Sequence, residues 1–224
     1  RASDLGQLML GLSRTSREVI AMDLPGHGDS PAPPEGMLPE AIRRVALQAF
    51  DRAITSPVVA FGNSLGGLTG LRLGGLRPHL IAGVMVASPA GAPMNEQEMA
   101  ALLANFAYRS HGEALAFVDR FYSTTGVLRH PFAFGVRQRM GTKAIRDFIG
   151  RIGTQDLLDP HDLATLTMPI LVFWGKNDRI LSPAHAEFFR SSLPPHGVVE
   201  VADGYGHAPY IDDPVRFTAR IADF

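Results

Sequence analysis

The sequence predicts an α/β protein: a mostly parallel central sheet flanked by helices, interrupted once by an all-helical insertion. Three observations carry this. Short apolar runs alternate with longer amphipathic stretches, the apolar runs are continuous, and a stretch from about 93 to 166 has helical patterning but no clear strand. Continuous apolar runs are expected of strands whose two faces are both covered by helices. Strand–helix alternation then implies parallel strands joined by right-handed crossovers. A chain of 224 residues suits one such domain.

The elements follow in order. Residues 3–14 read as a helix, with Leu5, Leu8, Met9 and Leu12 on one face. Val19, Ile20, Ala21 and Met22 read as a short buried strand, and the Pro- and Gly-rich stretch 23–36 as loop. A helix at 38–55, a strand at 58–61, a helix at 65–76 and a strand at 81–87 come next. Beyond the insertion, a strand at 170–174, a helix at 183–192, a strand at 198–201 and a helix at 210–223 complete the chain. The expected division is therefore a core segment at 1–92, a helical cap at 93–166 and a second core segment at 167–224.

Composition excludes several functions. Hydrophobic residues make up 46% and charged residues 19%, an ordinary globular balance. A formal net charge of −1 gives no electrostatic reason to expect nucleic acid or an anionic membrane as partner. There is no cysteine, which rules out disulfides and thiolate chemistry and fits a reducing, cytoplasmic setting. No apolar run is long enough to span a membrane. The N-terminus, Arg1-Ala2-Ser3-Asp4, lacks both an initiator Met and a secretory pattern, so upstream residues are expected.

The chemistry is concentrated at strand ends. Gly62-Asn63-Ser64-Leu65-Gly66 matches G-x-S-x-G and lies between a predicted strand and a predicted helix, the context of a nucleophile elbow. Ser64 is expected on a strained turn with positive φ, with glycines two residues before and after because side chains there would clash. The helix that follows aims N–H groups at the site, where an oxyanion would develop. A serine hydroxyl needs a base. Of eight histidines, His207 stands out, in a Gly-flanked loop after the last predicted strand. His79, His111, His130, His161, His185 and His196 read as surface residues. The base needs a carboxylate, and Asp178 follows the strand at 170–174; alone, a turn Asp bonded to its own backbone is the better reading, but the chain order Ser64, Asp178, His207 favours the triad. Asp203 is the rival acid. Asp212 and Asp213 are expected to help start the last helical turns.

These segments together resemble the α/β-hydrolase superfamily. Asp23-Leu24-Pro25-Gly26-His27-Gly28-Asp29-Ser30 looks like the segment after one of its sheet strands, 62–67 like its elbow, 174–178 like its acid loop and 206–209 like its histidine loop. The insertion resembles the family's helical cap, and His27 falls in a structural turn of the pattern. The resemblance implies a Ser64–His207–Asp178 triad, an oxyanion donor at the N–H of Leu65, and no metal or organic cofactor. It implies a serine hydrolase cleaving a carboxylic ester or related acyl bond of a small molecule. Serine at the elbow separates the chain from relatives with Asp there. A carbon–carbon bond hydrolase of aromatic degradation is an alternative, lowered because Ala208-Pro209 stands where that group carries Trp. A non-catalytic ligand-binding or accessory member is another. Phe106, Phe117, Phe121, Phe132 and Phe134 point either to an apolar substrate or to cap core. Family members also carry a central strand and a His-Gly loop, the second oxyanion donor, upstream of the first helix here. Residues 1–18 offer neither, so the sequence is expected to be a truncated record, unable to fold alone into a stable, active monomer.

Overall fold

A computed structural model of the protein describes residues 5–123 and 126–224. Its sheet has four strands, β1 (Val58–Asn63), β2 (Ile81–Ala87), β3 (Ile170–Gly175) and β4 (Gly197–Ala202), in the spatial order β1-β2-β3-β4. All three pairings are parallel, and the ladders run to the carboxyl ends, where Asn63 faces Ala87 and Gly175 faces Ala202.

Two apolar layers explain why the central strands are apolar at consecutive positions. On one face, Val84, Val86, Ile170, Val172 and Trp174 pack with Leu68 and Leu71 of α3 (Leu65–Leu76) and Phe189 of α9 (Ala186–Ser192). On the other, Met85, Ala87, Leu171 and Phe173 pack with Leu8 of α1 (Gly6–Leu12) and with Phe217 and Ile221 of α11 (Pro214–Ala222). Every residue of β3 is buried. β1 and β4 depart from the expectation of fully covered strands: they are the edges, and Val59 and Val198 are each more than half exposed.

The strand expected at 19–22 is not formed. Residues 18–24 carry no regular structure, and Ile20 is 50% exposed. An apolar run becomes a strand only against a hydrogen-bonded neighbour, and none of these residues joins the ladder, which ends at β1. The helix expected at 3–14 is α1; its first two expected residues lie outside the described ones. The helix expected at 183–192 opens as a 3₁₀ turn before α9. The last expected helix is two, α10 (Pro209–Asp212) and α11, because Pro214 lacks an N–H and disfavours helical geometry in the residue before it. Asp213 caps α11, accepting from the Arg216 N–H at 3.0 Å.

Between β2 and β3 the described residues are helical and contain no strand. The helices are α4 (Glu96–Ala104), α5 (His111–Phe121), α6 (Arg129–Met140), α7 (Lys143–Ile149) and α8 (Pro160–Ala164); α2 (Pro39–Ala53) precedes β1. Their boundaries are written locally. Asn95 with Glu98, and Ser110 with Glu113, form capping boxes that satisfy the first free N–H groups of α4 and α5. Among the described residues, no helix is long and apolar enough to cross a membrane.

Phe217 is fully buried with its ring against Phe61, Phe173 and Tyr205. Phe217→Ala should lower unfolding stability by about 3–5 kcal/mol through lost burial and the cavity left behind. Urea unfolding read as a drop in midpoint at unchanged slope checks this.

Candidate active site

Ser64 has φ +54° and ψ −118°, a region that costs a non-glycine residue energy. It turns the chain from β1 into α3 and leaves Ser64 half-buried at the carboxyl end of the sheet. The crossing is tight at Gly62, where a Cβ would lie 2.2 Å from the Gly66 carbonyl oxygen. The second tight position is Gly67, where a Cβ would come within 2.9 Å of Pro89; a Cβ on Gly66 would meet nothing within 4 Å. The expected clash two residues after the serine is thus displaced by one. Leu65 is the first residue of α3, so its N–H precedes the intrahelical ladder.

His207 and Asp178 come from the loops after β4 and β3. The His207 Nδ1–H donates to Asp178 Oδ2 at 2.8 Å, and both side chains are wholly shielded from solvent. The other carboxylate oxygen, Oδ1, accepts from the N–H groups of Ile180 (2.8 Å) and Leu181 (2.9 Å). The two readings of Asp178 are therefore both realised, one oxygen serving the turn and the other the histidine. A carboxylate can only accept, so the neutral ring carries its proton on Nδ1 and leaves Nε2 as an acceptor. Nε2 is buried and has no hydrogen-bond partner, so the bond from the Ser64 hydroxyl is not made here. Such bonds are often long before substrate arrives and tighten afterwards. Asp203 is not a rival: it is exposed and paired with Lys176 at 2.9 Å.

Two features were not singled out from the sequence. Asn63 Nδ2 donates to the carbonyls of Ala87 (2.9 Å) and His207 (2.7 Å), tying the elbow to the histidine loop. Its only sequence signal is its place inside the G-x-S-x-G motif. Ser88, at the end of β2, is fully buried with φ +40° and a hydroxyl without a partner.

Of the six histidines expected at the surface, His79 and His161 are exposed, as expected, while the remaining four have partners or partial burial. His111 and His130 lie on α5 and α6 and bond one another at 3.2 Å. The His196 ring donates from Nε2 to the Met168 carbonyl at 3.1 Å. His185 is half-buried with an unpartnered Nδ1; burial holds its pKa below the ordinary value, against the opposing pull of Glu98 and Asp178. Of the five phenylalanines, Phe117 is fully buried among Phe106, Tyr108 and Phe121, which favours the core reading. Phe121 also meets the His207 ring edge-on at 4.9 Å, whereas Phe134 is 61% exposed.

A parallel sheet with a serine turn, an acid loop and a histidine loop at the carboxyl ends of β1, β3 and β4 defines an α/β hydrolase architecture. The chain belongs to the alpha/beta hydrolase family, whose model matches residues 4–221. It is 30% identical over 226 residues to a pimeloyl-[acyl-carrier protein] methyl ester esterase of Neisseria meningitidis serogroup A, covering 92% of this chain and 67% of that protein. It is 26% identical to the sn-1-specific diacylglycerol lipase of Mus musculus, covering 95% of this chain and 73% of that one. Among solved structures, a meta-cleavage product hydrolase of Pseudomonas fluorescens superposes with a TM-score of 0.84 over 99% of this chain and 84% of that one. At 16% identity, that likeness shows the fold alone.

Asn63→Ala removes two hydrogen bonds and strands the His207 carbonyl, while the Ala87 carbonyl keeps the Ser64 N–H. It should cost about 2 kcal/mol in urea unfolding, and the amides of the histidine loop around residue 207 should exchange faster as the loop loses its tie to the elbow.

His185 gives a pH prediction. Its folded pKa is depressed, so the unfolded chain takes up the proton first. Its neutral burial is fully compatible with folding above the ordinary value of 6.5 and becomes destabilising as pH falls below it. Between pH 7.5 and 5.5 the urea midpoint of the wild type should fall further than that of His185→Gln.

Proposed function

We propose that the protein is a serine esterase working through a Ser64–His207–Asp178 triad on the carboxylic ester, or a related acyl bond, of a small apolar substrate. The observation that carries this is the buried Asp178–His207 pair with a free Nε2, held by Asn63 against the elbow that strains Ser64. Burying a carboxylate and an imidazole is costly without hydrogen bonds to offset it, and such pairs at strand ends cluster at functional sites.

In this reading the Ser64 Oγ attacks the ester carbonyl carbon as His207 Nε2 takes its proton. Asp178 holds the ring in that tautomer and stabilises the imidazolium. The Leu65 N–H donates to the oxyanion at the N-terminus of α3. When the tetrahedral adduct collapses, the C–O bond breaks and His207 returns the proton to the leaving alcohol. Water, deprotonated by the same nitrogen, attacks the acyl-enzyme; collapse releases the acid and restores the serine hydroxyl. In this reading the helices between β2 and β3 form a cap over the site, with Phe121 presenting an apolar ring beside the base. Two relatives named for ester cleavage, the methyl ester esterase and the diacylglycerol lipase, support this bond type.

Short-chain p-nitrophenyl esters should be hydrolysed, and a fluorophosphonate should add once, at Ser64, as read by mass spectrometry of peptides. Ser64→Ala should lose about 10³-fold or more of the turnover. Wild-type turnover by Ser64→Ala, or labelling elsewhere, would sink the assignment.

A further inference from the structure

The C-terminal end of α5 is fastened to both loops that carry the acid and the base. The His207 N–H donates to the Phe121 carbonyl at 2.9 Å. Asn177 Nδ2 donates to the Ser123 hydroxyl at 3.1 Å, and the Arg179 guanidinium donates to the Asp119 carbonyl. The approach is so close that a Cβ on Gly206 would lie 2.7 Å from the Ser123 nitrogen. Across this seam lies one carboxylate from α10. Asp212 Oδ1 accepts from the Ser123 N–H at 2.9 Å, and Oδ2 accepts from the Gly206 N–H at 2.6 Å.

That geometry suits a carboxylate and little else. Two backbone N–H groups, one from each side of the seam, each need an acceptor, and a carboxylate has two oxygens that only accept. Asparagine offers one acceptor and would turn N–H groups towards the second donor. Alanine offers none and leaves both donors unpaired in a half-buried seam. The histidine loop is flexible by composition, with Gly204 and Gly206 on either side of Tyr205. Gly206, the residue directly before His207, is the one that Asp212 holds.

We infer that Asp212 is a positioning residue for His207, clamping residues 121–123 to the histidine loop so that displacement of this helical segment and loss of the base's alignment are one event. This rests on the reading of His207 as the general base. Asp213, its neighbour, does separate work as the cap of α11.

The test pairs kinetics with hydrogen exchange on Asp212→Ala, Asp212→Asn and Asp212→Glu, with Ser64→Ala alongside. On a p-nitrophenyl ester, Asp212→Asn and Asp212→Ala should lower kcat about 10- to 100-fold with KM nearly unchanged. Asp212→Glu, which restores both acceptors, should recover most of the rate. Amides of 121–123 and of 206–207 should exchange faster together in the Asn and Ala variants, with β2 and β3 still protected. Asp212→Asn is nearly isosteric and keeps the test open if the alanine variant fails to fold. Wild-type kcat in Asp212→Asn, a loss carried by KM alone, a Glu variant no better than Asn, or faster exchange on one side of the seam only would each overturn the inference. If Ser64→Ala kept its turnover, the nucleophile reading would fail instead; joint loss of protection would still uphold the clamp.

Discussion

The Asp178–His207 hydrogen bond is the interaction on which the site depends. A carboxylate shielded from water is tolerable only when its oxygens are satisfied. Here three donors meet it, two backbone N–H groups of its own turn and the imidazole from a loop 29 residues further along the chain. The turn makes the carboxylate stiff before the histidine arrives, so ring orientation and tautomer follow from the acid loop. The other ring nitrogen is left buried and without a hydrogen-bond partner.

The sheet brings these loops together. Four parallel strands end side by side, so whatever follows each strand is delivered to one edge. Serine follows β1, Ser88 follows β2, the acid turn follows β3 and the histidine loop follows β4. Side chains and backbone then cross-brace the loops: Asn63 reaches from the elbow to the His207 carbonyl, and the N–H of Ser64 donates to the Ala87 carbonyl at 3.1 Å. The strain at Ser64 persists because these neighbours over-determine it.

Much of this was legible beforehand. The limits of α3 and β2 match their expected spans, since a continuous apolar run and a helix rich in Leu and Gly need only local chemistry. The elbow, acid and histidine stood out because each sits at a strand end with its own turn residues. Less legible was anything that depends on a neighbour distant in sequence. Val19 to Met22 have the composition of a strand and lie outside the ladder. Val59 and Val198 have the composition of core and lie at open edges. Asp212 reads as a helix-start residue, yet its carboxylate spans the seam between Ser123 and Gly206.

The sequence by itself determined which residues could form strands and helices, and which were the candidates for nucleophile, base and acid, because propensity, turn chemistry and side-chain reactivity are properties of a residue and its near neighbours. Only the tertiary structure decided which strands are edges, which of two adjacent aspartates caps a helix and which bridges two loops, and which glycine of the elbow is crowded. The edges, the Asp212 contact with Ser123 and the crowding of Gly67 by Pro89 depend on what packs across a gap of tens of residues. A hydrogen bond or a steric clash of that kind has no existence in the chain until the fold closes it.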